Sequence, residues 1–581
     1  MFFASLLAIV IFTLLVFFFF VAWVGGLTTS AKPKIEEKSV IVLDLGQHYK
    51  EQLQEDPLGS FSGDEEKNIP GLFDVLRLIN KAKTDEKVAG IYIQCNAGLN
   101  GFAASDDIRN ALIDFKASKK FVYAFGDVIT QKTYHIANAA DKIYISPQGY
   151  MEWTGFSATL MFFKGTLDKL DIKPQIFYAG KFKSATEPFR TTEMTPENEL
   201  QTSVWLGELY NHFLMKASES RKVDTAELRR LANGGMVQNA KSAADTKLVD
   251  GLKYDDEVKD EIKAKLGLDK YQRINFVSIN TYAAAVGRYK KFTGDKIALI
   301  YAEGDIIDGS MENQPGMIAG EDYRKLIRKI RLDKSIKAIV FRINSGGGSS
   351  LASETIWREL SLAKQDKPVV ISFGDVAASG GYYIACAGDS IFANPATITG
   401  SIGVFGIIPD MEGFFRNKLG VTFDGVKTGP YADAGSFTRP MNENEKKMLQ
   451  AEIENIYAVF KKRVADARKK DEAYIDSIAQ GRVWTGKHAI GNGLVDKFGS
   501  LQDAVNCAAR MAKLDNFYLR EYPEPADIFD QLFGKTTPLN YNNKLKEELG
   551  EENYKVLMEI RKVQQLTGKA QARLPFIYSI N

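Results

Sequence analysis

The tetrapeptide Phe125-Gly-Asp-Val128 recurs letter for letter as Phe373-Gly-Asp-Val376, and nothing else in the chain restricts its fold as much. Other matches keep the same order around it. Tyr134-His-Ile-Ala137 corresponds to Tyr382-Tyr-Ile-Ala385 at the same offset, and Leu248-Val-Asp250 to Leu494-Val-Asp496. The apolar runs Val40–Asp44 and Val88–Ile93 are echoed by Lys296–Ile300 and Ile336–Ile343, about 250 residues later. One match is chance; a colinear series is a duplication, with halves near residues 39–285 and 293–520. In the first half, helical patterns at Leu72–Ala82 and Ile108–Phe115 separate these β runs from a third, Phe121–Phe125. Such alternation predicts βαβ units and a mostly parallel sheet in an α/β fold. At 581 residues the chain is also too long for one ordinary domain.

Duplicated halves are informative where they disagree. In the second half the run Pro368–Phe373 leads to Ala377-Ala-Ser379-Gly380-Gly381, and a helical run, Tyr382–Cys386, follows. A serine among small residues at a strand-to-helix turn exposes its hydroxyl beside a helix N-terminus, as a nucleophile requires. The bland alternative is a tight turn with a capping serine. Opposite it the first half has Gln131-Lys-Thr133, so the serine turn exists once. The first half instead carries Lys181-Phe-Lys183-Ser-Ala-Thr-Glu-Pro-Phe189; aligned through Gly180 and Gly429, Ala432 stands opposite Lys183. One half offers a serine and the other a lysine, the division expected of a two-residue site.

Serine needs a base, and only four histidines occur in the whole chain: His48, His135, His212 and His488. A lysine amine serves if burial depresses its pKa, at a cost of about 1.4 kcal/mol for each unit of depression. Phe182, Ala185 and Phe189 give Lys183 apolar company; Lys181, two residues back, is the rival, and both could equally be surface lysines. An oxyanion needs donors. Ser345-Gly346-Gly347-Gly348-Ser349, after a strand and before the helical run Ala352–Ala363, offers bare backbone N–H groups. The absence of a Walker lysine there argues against a phosphate cradle. Thr397-Ile-Thr-Gly-Ser401-Ile-Gly offers hydroxyls to orient an amine, or is simply a strand start. Cys95, Cys386 and Cys507 fit neither a metal site nor a disulfide framework, and no cofactor is expected. A net charge of +2 gives no reason to expect nucleic acid.

Before Lys32 the chain is free of charged side chains, and Phe2–Leu27 is apolar over a length that spans a bilayer as a helix. An uncleaved anchor over residues 1–30 is expected rather than a signal peptide. Lys32, Lys34 and Lys38 leave its orientation open. Residues 521–581 contain an amphipathic pattern, Leu545–Ile560, and are expected to clasp a neighbouring subunit rather than close the second half.

The Lys-Ser-Ala-x-Glu-Pro-Phe string, the Ala-Ser-Gly-Gly-Tyr-Tyr turn and Thr-Gly-Ser-Ile-Gly together resemble the long, duplicated form of the bacterial signal peptide peptidase A family. The likeness covers about residues 39–520 and the N-terminal anchor. It implies two tandem ClpP/crotonase-like domains, a duplicated ββα-repeat fold, behind a transmembrane helix. It implies Ser379 as nucleophile, Lys183 rather than Lys181 as general base, and Ser401 as the residue that orients the lysine. Gly347 and Gly380 fall at the oxyanion position. The family's Ser-Pro-Gly-Gly is Ser345-Gly-Gly-Gly348 here, a departure that loosens the loop without removing donors. The resemblance further implies a homotetramer on the bacterial inner membrane, its catalytic body on the periplasmic side, that degrades cleaved signal peptides and other apolar peptides. Two other readings compete: a crotonase-like acyl-CoA enzyme, and a catalytically silent membrane scaffold.

Overall fold

A computed structural model describes residues 11–13, 15–16, 33–54, 68–95, 97–287, 294–311, 316–524, 550 and 569–574. The first half builds strands β1 (Ser39–Asp44), β2 (Val88–Gln94), β3 (Phe121–Ile129), β4 (Lys142–Met151), β5 (Lys173–Ala179), β6 (Gly251–Leu252) and β7 (Phe276–Ser278). Its principal helices are α1 (Leu72–Thr84), α2 (Phe102–Lys116), α3 (Gln131–Ala137) and α4 (Pro196–Arg221). Six of these strands form one parallel sheet in the order β6-β4-β3-β2-β1-β7.

The second half supplies β8 (Asp295–Glu303), β9 (Asp305–Ile307), β10 (Met317–Ala319), β11 (Ile336–Ser345), β12 (Gly347–Ser349) and β13 (Val369–Ala378). It continues with β14 (Ser390–Ala393), β15 (Ile398–Gly400), β16 (Val404–Asp410), β17 (Val483–Thr485), β18 (Lys497–Phe498) and β19 (Phe517–Tyr522). Helices α5 (Ser350–Asp366), α6 (Gly380–Ala385), α7 (Glu443–Arg468) and α8 (Leu501–Met511) cover its sheet. The parallel order β18-β14-β13-β11-β8-β19 repeats that of the first sheet strand for strand. Side chains repeat too. Tyr134 donates its hydroxyl proton to Leu248 O at 2.8 Å, and Tyr382 to Leu494 O at 2.7 Å. Asp250 accepts from Ile143 N–H at 2.8 Å, and Asp496 from Ile391 N–H at 2.7 Å. The matched Leu-Val-Asp strings are therefore anchors that lock each half's fourth strand.

β13 runs past the predicted end at Phe373, through Gly374-Asp375, to the residue before Ser379. The half-buried Asp375 is held there by its carboxylate accepting the Ala104 N–H at 3.0 Å, at the start of α2 in the other half. A buried ion pair of 2.9 Å between Arg342 on β11 and Glu51 adds a second link between the halves. A third sheet, ordered β10-β9-β12-β20-β16-β5, completes the joint: β5 of the first half pairs antiparallel with β16 of the second. Its strand β20 (Gln571–Arg573) comes from the C-terminal segment and pairs with β12 and β16 of its own chain. These three residues thus close on the second half of their own chain, the alternative to a clasp on a neighbour. The amphipathic run 545–560 lies outside the described residues apart from Gly550. Among the described residues no helix is long and apolar enough to cross a membrane, and most of the candidate anchor lies outside them.

Candidate active site

Ser379 stands between β13 and α6 at φ 54° and ψ −114°, a conformation that L-residues rarely adopt. The turn is held from both sides. Ser379 N–H donates to Gly400 O at 2.8 Å, and Tyr383 N–H returns to Ser379 O at 2.8 Å. Pairing of Val376–Ala378 with Ile398–Gly400 fixes the approach. Thr397 and Thr399 serve this pairing rather than the lysine, donating to Gly374 O at 2.8 Å and Ala377 O at 2.6 Å.

Lys183 follows β5, in a turn rather than a strand. Phe182 N–H donates to Gln480 O at 2.8 Å, and Gln201 on α4 donates to both Phe182 O at 3.0 Å and Ser184 Oγ at 2.9 Å. Gln201 Oε1 accepts the Val483 N–H at 3.1 Å, while Ser401 N–H donates to Arg482 O at 2.7 Å. One loop, residues 480–483, thus fixes both the lysine and the residue facing it. Gly481 leaves no room for anything larger: at φ +76°, a Cβ there would meet Lys183 N, Cα and Cβ at 2.6–2.7 Å.

These elements bring the predicted residues together. Lys183 Nζ lies 2.8 Å from Ser379 Oγ, 3.0 Å from Ser401 O and 3.0 Å from Ser401 Oγ. Lys183 is 1 % exposed, and Ser379 and Ser401 are 0 % exposed. Burial lowers the lysine pKa well below its ordinary value, with no carboxylate to oppose it. A neutral amine has two protons and one lone pair. It can donate to the two Ser401 oxygens and accept the Ser379 hydroxyl proton, using every position. Ala185, Phe189, Phe405 and Ile407 form an apolar cluster beside it. Lys181, in contrast, is exposed, and its Nζ lies 5.4 Å from the Phe182 ring centroid.

The Gly-rich loop departs from expectation in one respect. Gly347 N–H donates to Ser345 Oγ at 3.1 Å, so it is already engaged. Gly380 N–H is an orphan donor in the first turn of α6, directly after Ser379, and Gly348 lies in β12 on the same loop as Gly347. Gly347 is still required, because at φ +99° a Cβ would lie 2.7 Å from Gly380 N. Residues opposite Lys183 by alignment, 426–432, carry no strand and are mostly exposed. Sequence reasoning missed Gln201 and the 480–483 loop, which no motif marks. It also missed Asp106, His135 and His212, whose ligand atoms lie within 4.8 Å of one another. Both imidazole Nε2 atoms stand 3.2 Å from the same Asp106 oxygen.

The family model for Peptidase family S49 matches residues 114–269 and again 361–515, once in each half. The chain belongs to peptidase family S49. It is accordingly a serine peptidase. It is 39% identical over 479 residues to Protease 4 of Salmonella typhi, covering 80% of this chain and 76% of that one. It is 36% identical over 203 residues to a putative signal peptide peptidase SppA of Enterococcus faecium, covering 35% of this chain and 59% of that one. A solved structure of a ClpP1 point mutant from Listeria monocytogenes aligns at 16% identity and a TM-score of 0.25, over 36% of this chain and 94% of that one. At that score the superposition carries no argument.

Proposed function

We propose that this S49 peptidase works through a Ser379–Lys183 dyad. The observation that carries the reading is the 2.8 Å approach of a buried lysine amine to a serine held in a strained turn. Lys183 takes the proton as Ser379 Oγ attacks a peptide carbonyl. The Gly348 and Gly380 N–H groups receive the oxyanion, and the amine returns the proton to the leaving nitrogen. Water activated by the same amine then frees the acyl group. Ser401 holds the amine through its carbonyl and hydroxyl oxygens, so that the lone pair faces Ser379. Nothing in this scheme draws on histidine. The decisive test is mass spectrometry of the protein after a serine-reactive phosphonate probe: the adduct belongs on Ser379, and an adduct elsewhere refutes the assignment.

The proposed substrates are cleaved signal peptides and other apolar peptides, supported by the name of the Enterococcus relative and by the apolar run Phe2–Leu27. That run is read as an anchor in the bacterial inner membrane, with the catalytic body on the periplasmic side. A homotetramer is supported by unmatched pairing. β5 pairs with β16 inside the chain, but the repeat counterpart of β5, residues 422–428, exposes Phe423 and Val426, next to an exposed Val421. The counterpart of β16, around residues 155–163, is also without a strand and exposes Met161. A neighbouring copy offers each edge the partner that the other half finds internally, and repetition of that contact closes a ring. Phe423→Asp is expected to shift the assembly toward monomer in sedimentation.

A further inference from the structure

The two halves also disagree at a buried carboxylate of the first one, Asp106. α2 and α5 begin at equivalent positions, 102 and 350, so Asp106 falls opposite Glu354. His135 falls opposite Tyr383 within the matched strings. α4 and α7 are both 26 residues long, which sets His212 opposite Val459. In the second half the carboxylate makes ordinary polar contacts. Tyr383 donates its hydroxyl proton to Glu354, and Arg463 donates to the same carboxylate at 3.0 Å. In the first half two imidazoles, from α3 and α4, converge on one oxygen instead.

His135 Nε2 and His212 Nε2 each stand 3.2 Å from Asp106 Oδ1. One contact is a hydrogen bond; the other leaves the buried His212 Nε2 with no hydrogen-bond partner. Burying an imidazole nitrogen in that state is unfavourable. A metal ion removes the penalty, because both nitrogen lone pairs and the carboxylate then point at one centre. Donors held at about 2.1 Å in a tetrahedral shell stand about 3.4 Å apart, close to the spacing here. All three ligand atoms lie within 4.8 Å of one another.

The surroundings hold these groups in place. Asn394 Oδ1 accepts the Ala396 N–H at 2.9 Å, which turns its Nδ2 toward Asp106 Oδ2 at 3.2 Å. The second carboxylate oxygen is thereby engaged, and Oδ1 faces the imidazoles. The His135 ring is fully buried, 5.7 Å from the Phe102 ring and 6.0 Å from that of Phe213. Asp106 and His212, with Lys216 and Asn394, line a cavity of about 510 Å³ to which both halves contribute.

We propose that Asp106, His135 and His212 bind one divalent transition-metal ion, zinc(II), with its fourth position turned to this cavity. Two nitrogen donors out of three favour zinc over magnesium or calcium, and the divalent series ranks it above iron(II). The ion ties α2, α3 and α4 at one point and, through Asn394, reaches the second half. Its role is structural and independent of the Ser379–Lys183 reading. His135 Nδ1 has no acceptor, so the site lacks one outer hydrogen bond of the kind that tightens histidine ligands. Affinity in the micromolar range is therefore expected.

The test uses full-length protein in detergent, stripped with a chelator and titrated with zinc chloride alone. Calorimetry is expected to show one ion bound per chain, with a raised thermal midpoint. Cobalt(II) in its place should give the intense visible absorption of four-coordinate cobalt, bleached by added zinc. His212→Val, the residue type of the second half, should weaken binding by about tenfold or more, as should Asp106→Asn. His488→Ala should bind as wild type does. The cobalt spectrum needs no variant, so unfolding of either one leaves the test intact. Absence of zinc uptake or of the cobalt band by wild type overturns the inference. So does uptake that folded His212→Val and Asp106→Asn proteins both retain, which would mark the ion as adventitious.

Discussion

Lys183 Nζ lies 2.8 Å from Ser379 Oγ across 196 residues of chain and the joint between two duplicated halves. Neither half carries both groups, so the contact exists only because β5 crosses to pair with β16. Ser379→Ala removes one buried oxygen from a turn whose backbone bonds are independent of the side chain. Hydrolysis of an apolar peptide is expected to fall by about three orders of magnitude or more, with an unchanged thermal midpoint. Retention of a tenth of the wild-type rate would exclude Ser379 as the nucleophile.

Lys183→Met is expected to be equally inactive and, at neutral pH, more stable than wild type. The sign follows from linkage. The unfolded lysine stays protonated up to about pH 10.4, whereas burial favours the neutral amine in the folded state. Between the two pKa values the unfolded state binds the extra proton, so wild-type stability rises with pH by about 1.4 kcal/mol per unit. Methionine lacks that slope, and its advantage should disappear above about pH 10.4. Wild-type kcat/KM should likewise rise with pH through an apparent pKa well below that of free lysine. Lys181→Ala should leave both profiles in place. Denaturant titrations from neutral to alkaline pH check the first claim, and a flat difference between the proteins would contradict it.

Ser401→Ala separates two contacts on one amine. The hydroxyl is lost, but the Ser401 carbonyl remains 3.0 Å from Nζ, so the lysine keeps one anchor. A partial loss in kcat of about ten- to hundredfold is expected, with KM little changed. An effect as deep as that of Ser379→Ala would mean that Ser401 acts on the reacting atoms directly.

How much of this was legible in the sequence depends on whether a residue's role is local. Ser379 and Lys183 were visible because the two halves can be compared, and each stands where its counterpart has lost the group. The choice of Lys183 over Lys181 needed the family motif, because alternation cannot be read through a turn that is not a strand. Gln201, Gly481 and Arg482 act through backbone hydrogen bonds and close packing to residues far away in the chain, and such contacts impose no spacing. Gly347 was read as a donor because three glycines in a row look alike. Only the structure shows Ser345 Oγ taking its N–H. The C-terminal strand was hidden for a related reason: Gln571–Arg573 is too short for periodicity to register.

Glu303, at the end of β8, provides a stability test away from the dyad. Burial first, then the Glu51 charge, pushes its carboxyl up to about 7. Between the ordinary value of 4.5 and about 7 the folded state holds a proton that the unfolded state releases. Stability attributable to this group therefore falls as pH rises through that window. Glu303→Gln stays neutral and should match wild type below about pH 4 yet exceed it by up to about 3 kcal/mol near pH 8. Equal pH dependence of the two proteins in denaturant titrations would show that the carboxyl titrates normally.

The duplication also predicts the outcome of mixing inactive subunits. Ser379 and Lys183 meet within one polypeptide, joined by the seven-residue pairing of β5 with β16. A site shared between chains would require that whole seven-residue pairing to be exchanged with a neighbour. Ser379→Ala and Lys183→Ala proteins, co-expressed with different affinity tags, should therefore yield mixed oligomers with only background hydrolysis. In each chain the site lacks one of its two groups, and no neighbour supplies the other. Substantial activity in the doubly tagged fraction would mean that β5 reaches across to a second subunit in the working assembly, and that the dyad is intermolecular.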